Sequence, residues 1–348
     1  MIHAIDNLPR VDLGFYPTPI TDARRLSSAI GGPRILIKRE DLSGLALGGN
    51  KCRMFEFILA EARKQGATAV ISTASSQSNF CLQLAAAARK LGMKPRFVLL
   101  RGLHNETQGN LLLQNILDSD VKILQISDMS EVFVTGGPVS QELDRAADEL
   151  RAGGYKPFTI GHGASDVSAI LGCAGWVNAA DEIMTQLKRL GVEVQYLVLA
   201  VAGAVTTAGL VLGSKYLKAE HRIRGISVLQ KEPDAVAAAL ATIEATSAFL
   251  GLDVKVAPQD FEITDAYIGK GYGIPTAECL DAIRITAQTE GIYLDPVYSS
   301  KAMAALIDLA RKGEFKPTDT VLFIHTGGIP SLFEYHAEIA ASGPMRQH

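Results

Sequence analysis

The strongest constraint on this chain is a set of short, unbroken apolar runs, each followed by a longer stretch with helical spacing. Arg34-Ile35-Leu36-Ile37-Lys38, Ala69-Val70-Ile71-Ser72-Thr73, Arg96 to Leu100, Lys122 to Ile126, Phe158-Thr159-Ile160, Tyr196 to Val201, Arg224 to Val228 and Val321 to His325 all read as strands. A strand with one wet face alternates apolar and polar residues. Most of these do not alternate, so both faces are covered, as in a parallel sheet flanked by helices. In the stretch 52–65, Phe55, Ile58, Leu59 and Ala62 recur at helical spacing, and Asn79 to Leu91, Val139 to Ala152 and Gly172 to Leu190 read as further helices. The fold class is therefore α/β, a parallel-sheet-based three-layer architecture. At about 150 residues per domain, 348 residues predict two domains. The block from Lys94 to Ile160 looks self-contained, which places a small domain at 51–165 within a large domain made of 1–50 and 166–348.

Composition narrows the function classes. Lys and Arg total 34 against 37 Asp and Glu, a formal net charge of −3. A nucleic-acid-binding chain carries a basic face or stripe, so no nucleic-acid partner is expected. The stretches 66–88 and 194–214 hold no charged residue, which raises the membrane question. Serines, Asn79 and glutamines interrupt the first, and Gln195, Thr206, Thr207 and glycines the second. A spanning helix needs about 20 predominantly apolar residues, so no membrane segment is expected. The N-terminus lacks a basic region followed by an apolar one, the mark of a secretory signal. Cys52, Cys81, Cys173 and Cys279 are scattered with no C-x-x-C spacing, which fits a reducing cytoplasm. The histidines show no metal-ligand spacing, and no metal is expected.

In such sheets ligands bind where strands end and helices begin, and three junctions of that kind carry unusual residues. Gly48-Gly49-Asn50-Lys51 precedes the helix near Cys52. It suggests a backbone that approaches a ligand with an amine aimed at it, although a loop followed by a solvated lysine reads equally well. Thr73-Ala74-Ser75-Ser76-Gln77-Ser78-Asn79 follows a strand; one or two of these residues can cap the helix, and the rest present donors to a carboxylate or phosphate. Ala202-Gly203-Ala204-Val205-Thr206-Thr207-Ala208-Gly209 is a small-residue loop of the phosphate-cradling kind, but its spacing is neither that of a dinucleotide fingerprint nor that of a P-loop. Tyr272 and Tyr298 lie within turn-forming sequence, where a tyrosine is either a packed ring or an acid–base group.

These blocks fall in one collinear series: Tyr16-Pro17-Thr18-Pro19, Lys38-Arg39-Glu40-Asp41, Leu47-Gly48-Gly49-Asn50-Lys51, Gln77-Ser78-Asn79, Gly271-Tyr272-Gly273-Ile274-Pro275, Asp295-Pro296-Val297-Tyr298-Ser299-Ser300-Lys301 and His325-Thr326-Gly327-Gly328. The series resembles the pyridoxal 5'-phosphate (PLP) enzymes of fold type II, the tryptophan-synthase-β-like fold. Within them it is similar to the D-cysteine desulfhydrase and 1-aminocyclopropane-1-carboxylate (ACC) deaminase branch. The resemblance implies that Lys51 forms the Schiff base with the pyridoxal aldehyde and later acts as base at the substrate α-carbon, with the pyridine ring as electron sink. It implies that Asn79 contacts the ring hydroxyl, and that Gln77, Ser78 and Asn79 line the substrate. Ala202, Gly203, Ala204, Val205 and Thr206 would hold the phosphate through backbone N–H groups. Thr326 would face the pyridine nitrogen, while Tyr272, Tyr298 and Ser78 would serve as acid, base or leaving-group partners. A homodimer acting on a small amino acid is implied in the same way.

Four departures bear on the substrate. The deaminases follow the second tyrosine with a glutamate near the pyridine nitrogen; here the residue is Ser299. A threonine hydroxyl at that nitrogen leaves it less protonated than a carboxylate would, which favours β-elimination over ring opening. After Asn79, where the family commonly continues with a histidine and then an arginine, this chain has Phe80, Cys81 and Leu82, and the phosphate loop carries the β-branched Val205. Asp166-Val167-Ser168 stands where the family has Gly-Gly-Ser. The expected activity is α,β-elimination on a small amino acid with a β-leaving group, giving a 2-oxo acid and ammonia. The alternatives are ACC-type ring opening and a PLP-binding protein with little turnover.

Overall fold

The computed structural model describes residues 2–161 and 166–343, so the expected domain boundary at 165 lies outside the described residues. Along the chain the strands are β1 (Ile20–Asp22), β2 (Arg34–Arg39), β3 (Ala69–Ser75), β4 (Lys94–Leu100), β5 (Asp120–Leu124), β6 (Pro157–Thr159), β7 (Tyr196–Val201), β8 (Arg222–Ser227), β9 (Glu262–Thr264) and β10 (Thr320–His325). One six-stranded sheet has the order β1-β2-β10-β7-β8-β9, and a four-stranded sheet has the order β5-β4-β3-β6. Every pairing is parallel except that of the edge strand β1 with β2. All six residues of the central β10 are buried, as its unbroken apolar run requires.

The strand expected at Lys122–Ile126 begins two residues earlier, because its register with β4 runs from Arg96 against Asp120 to Leu100 against Leu124. Sequence reasoning misses β1 and β9. Each has three residues on a sheet edge, too short for an apolar run to show.

Six helices position the site: α1 (Cys52–Lys64), α2 (Asn79–Lys90), α3 (Gly109–Ile116), α4 (Val167–Leu190), α5 (Val205–Tyr216) and α6 (Ser299–Arg311). Helix α4 starts five residues before the expected Gly172, because the Asp166 carboxylate caps it by accepting the Ser168 N–H at 2.6 Å. Glycines let α4 pack close to both α5 and α1. A Cβ on Gly209 would sit 2.3 Å from the Trp176 Cβ and 2.6 Å from the Cys173 carbonyl, and one on Gly175 would sit 2.4 Å from the Arg53 carbonyl. Gly209, read from sequence as part of the phosphate loop, is therefore a helix-packing residue inside α5. Val205 belongs to that helix too, as its first residue.

A buried ionic cluster ties α1, α4 and the end of β2 together. Arg53 donates to both carboxylate oxygens of Glu40 at 2.7 and 2.8 Å and to those of Glu182 at 3.0 and 2.7 Å. Lys38 donates to Glu182 at 2.5 Å and to the Thr18 carbonyl at 2.7 Å, and the Thr18 hydroxyl donates to Glu40 at 2.6 Å. Two cations face two carboxylates, and the bidentate geometry is the strong form of such pairing. Removing one member of a buried ion cluster costs about 3–5 kcal/mol, because its partners stay buried with unmatched charge. Arg53→Met, which preserves volume, should lower unfolding free energy by about that amount in denaturant titration. A loss below about 1 kcal/mol would mean the cluster is not the tie described.

Candidate active site

Lys51 is the last residue before α1 and is held from three sides. Gly49 forms an antiparallel bridge with Gly327, and the Asn50 N–H donates to the Thr326 carbonyl at 3.1 Å. The Gln83 amide donates to the Gly48 carbonyl at 2.9 Å, and the Ser43 hydroxyl bonds both backbone groups of Gly49. Gly48 must be glycine: its φ is +79°, and a Cβ there would lie 1.7 Å from the Asp41 carbonyl oxygen. The amine of Lys51 is half-buried and makes no hydrogen bond among the described residues. Desolvation lowers its pKa to about 8, against a smaller opposing pull from the Asp295 carboxylate. Its Nζ lies 5.3 Å from the centroid of the Tyr298 ring.

The two tyrosines expected from sequence meet here. The hydroxyls of Tyr272 and Tyr298 are hydrogen-bonded to each other, with their rings edge to face at 5.9 Å. Burial raises the Tyr272 pKa to about 12 and that of Tyr298 well above the ordinary value, so both hydroxyls stay protonated at neutral pH. Asp295 fixes Tyr298. Its carboxylate accepts the N–H groups of Val297, Tyr298 and Ser299 at 3.0, 2.9 and 2.7 Å and the Ser299 hydroxyl at 2.5 Å. Ser299 is thus spent on Asp295. Sequence reasoning quoted Asp295 only as part of a turn and missed that its charge reaches Lys51.

At the start of α2, the Ser78 hydroxyl accepts the Cys81 N–H at 3.2 Å and so caps the helix. Asn79 accepts from Asn110 at 2.8 Å, and a Cβ on Gly328 would lie 2.6 Å from its amide nitrogen, so Asn79 sits against the Gly327-Gly328 turn. Gln77 is placed differently from a simple substrate contact. Its carbonyl oxygen accepts the N–H groups of Asn110 and Leu111, and its amide donates to the Gln108 carbonyl at 3.2 Å. Its side chain therefore joins α2 to the first turn of α3. Asn110 gave no sequence signal at all. The Thr326 hydroxyl has no hydrogen-bond partner among the described residues, and His325 is structural: its Nδ1 accepts the Gly327 N–H, which leaves Nε2 to donate to the Tyr293 carbonyl at 2.8 Å.

The N-terminus of α5 is open to an anion. No side chain caps it at Ala204, Gly203 faces free space, and the buried hydroxyl of Thr207 has no partner. Asn50 donates to the Thr206 hydroxyl at 3.1 Å, which ties this terminus to the residue before Lys51. Uncapped N–H groups and the helix dipole favour a phosphate at such a position. With the depressed amine of Lys51 and the free hydroxyl of Thr326, these residues fit a phosphorylated aldehyde such as PLP. Phe80 stacks edge-on against Phe55 at 4.9 Å and, with Gly203, Ala204 and Val205, lines an apolar cavity of about 190 Å³ at the start of α5. A larger cavity of about 750 Å³ opens in front of Tyr272 and Tyr298, with Gln77, Arg101, His104 and Lys231 on its walls. Among the described residues no cluster of three or more His, Cys, Asp or Glu can hold a metal, and no helix is long and apolar enough to cross a membrane.

Comparison with known proteins agrees with this chemistry. Residues 11–327 match the family described as "Pyridoxal-phosphate dependent enzyme". The chain is 36% identical over 340 residues to the D-cysteine desulfhydrase of Klebsiella pneumoniae (strain 342), an alignment that covers 96% of this chain and 98% of that one. Among solved structures it is similar to an ACC deaminase homologue, with 34% identity, a TM-score of 0.86 and 98% of each chain covered. Its fold is also that of threonine deaminase isoform 2 from Solanum lycopersicum, with a TM-score of 0.65 at 18% identity, over 98% of this chain and 88% of that one. An amine of lowered pKa, an uncapped helix terminus and a match over most of the sequence agree, and the chain belongs to the pyridoxal-phosphate-dependent enzymes of fold type II.

Proposed function

We propose that the protein is a lyase that carries out α,β-elimination on a small amino acid with a β-leaving group, as a D-cysteine desulfhydrase does, releasing a 2-oxo acid and ammonia. The observation that carries this reading is the half-buried amine of Lys51, depressed to about 8 and facing the ring of Tyr298, whose hydroxyl is bonded to that of Tyr272. When bound, the pyridoxal ring supplies the electron sink for negative charge at the substrate α-carbon. Ala202, Gly203, Ala204, Val205 and Thr206 would hold its phosphate, Asn79 would contact its ring hydroxyl, and Thr326 would face its ring nitrogen. The neutral Nζ of Lys51 takes the α-proton. The Ser78 hydroxyl and the first N–H groups of α2 receive the substrate carboxylate, with Gln77 bracing that turn. The Tyr272–Tyr298 pair delivers a proton to the departing β-substituent, a role suited to phenols that stay protonated at neutral pH.

We extend the proposal to domain organisation and setting. Residues 1–50 with 166–348 form the cofactor-holding domain and 51–165 a smaller one, with α1 as the contact between them through Arg53. The four cysteines are all free, which supports a reducing cytoplasm. The homodimer follows from the family resemblance, and light scattering tests it. A second reading, opening of a cyclopropane amino acid, is supported by the 34% identity to an ACC deaminase homologue.

The deciding experiment incubates the PLP-loaded protein with D- and L-cysteine, cysteate, β-chloroalanine and ACC. Pyruvate from a β-substituted substrate is expected; 2-oxobutyrate from ACC alone would move the assignment to ring opening, and no product from any would leave a binding protein. Borohydride reduction should attach the cofactor to Lys51, and Lys51→Ala should abolish turnover without changing the unfolding midpoint.

The lowered pKa of Lys51 gives a pH prediction with a definite sign. Only the neutral amine attacks the aldehyde, and its fraction rises with pH through about 8. Uptake of PLP by the cofactor-free protein should therefore accelerate tenfold per pH step below that value and level off above it. A rate still climbing past pH 10 would show that Lys51 is solvated like an ordinary lysine.

A further inference from the structure

Lys301 has no part in the chemistry above, yet its side chain is 1% exposed. Its ammonium donates to the backbone carbonyls of Ile268 at 2.6 Å and Gly271 at 3.1 Å. No carboxylate among the described residues accepts a hydrogen bond from it, and burial lowers its pKa. A buried ammonium without a bonded counter-ion is costly, and a methionine would fill the same space without that cost. What the lysine adds is its pair of bonds to the segment 268–271.

Just before that segment, the Tyr267 hydroxyl donates to Asp308 on α6 at 2.6 Å. Residues 265–276 form neither helix nor strand, and Gly269, Gly271 and Gly273 all have positive φ, at 71°, 148° and 73°. Such a run is conformationally loose unless something outside it fixes the backbone. Two groups fix the backbone nearest Tyr272, one on each side of it. Lys301 holds Ile268 and Gly271, and the Tyr335 hydroxyl donates to the Gly273 carbonyl at 2.6 Å. Tyr298 immediately precedes α6, and Lys301 follows it within about one helical turn. One rigid helix end therefore carries one tyrosine directly and grips the loop that carries the other.

We propose that Lys301 is a positioning residue that sets the contact between the Tyr272 and Tyr298 hydroxyls. The proposal rests on the reading of those tyrosines as the proton-handling pair. A misplacement of about 1 Å can cost up to a hundredfold in rate.

The test compares Lys301→Met, Tyr272→Phe and the double variant as PLP-loaded enzymes, following pyruvate release from D-cysteine. Lys301→Met should lower kcat roughly ten- to a hundredfold with KM little changed, and should add no further loss in the Tyr272→Phe background. Losses that simply add, or an unchanged kcat, would overturn the proposal. Lys301→Gln, which keeps one N–H donor in the same space, should fall between wild type and Lys301→Met. If the wild type turns over none of the amino acids, the elimination reading fails on its own, and tyrosinate absorbance then decides about Lys301. In Lys301→Met a tyrosine ionisation should shift from its wild-type position, because the Tyr298 hydroxyl bonded to Tyr272 is displaced, and the shift should be absent when Tyr272→Phe is added. A titration identical to wild type would overturn the proposal.

Discussion

Arg53 lies two residues after Lys51, and its guanidinium is shared between Glu40, just past the end of β2, and Glu182 on α4. A planar fork of donors facing two carboxylates has few other arrangements that satisfy it. It therefore fixes the axial position and rotation of α1 against the six-stranded sheet, and with them the place where Lys51 emerges. The same carboxylates bind Lys38 and Thr18, so the N-terminal segment, the β2 strand and α4 share one electrostatic knot. The aromatic faces of Tyr16 and Trp176 lie 4.3 and 5.9 Å from the guanidinium carbon, which seals the knot from water and strengthens it.

Around that anchor the site is assembled by close backbone approach. Gly49 against Gly327 brings the lysine loop onto the end of β10, and Asn50 ties it to the start of α5. The lysine loop and the end of β10 are thus set by contacts of backbone with backbone, which tolerate little displacement, and the uncapped helix terminus is joined to them by the Asn50 side chain. The tyrosine side is built otherwise, by a carboxylate that caps one tyrosine and an ammonium that steadies the loop of the other. Charges buried for geometry rather than for stability recur on both sides.

Much of the core architecture was legible in the chain. β7 occupies the run Tyr196–Val201 as read, and β10 departs from its expected bounds by one residue. A strand buried on both faces has no polar residue to blur its period. The tyrosines and Lys51 were legible too, through the family resemblance. Other residues were hidden for physical reasons. The bracing part of Gln77 was hidden because an amide's partners are not written beside it; here they come from the backbone at the start of α3, more than thirty residues away. Gly209 looked like a loop glycine because a packing glycine and a turn glycine are the same letter, and only the Trp176 backbone at its side tells them apart.

The sequence by itself determined the fold class and the family, since each is encoded in local patterns of burial and in motifs read in order. The tertiary structure alone decided which groups face one another. That Asp295 lies within the field of Lys51, that Tyr272 and Tyr298 share a hydrogen bond, and that Asn50 reaches Thr206 are results of packing between segments far apart in the chain. Charge interactions and hydrogen bonds depend on distances of a few ångströms, and sequence separation carries no record of them.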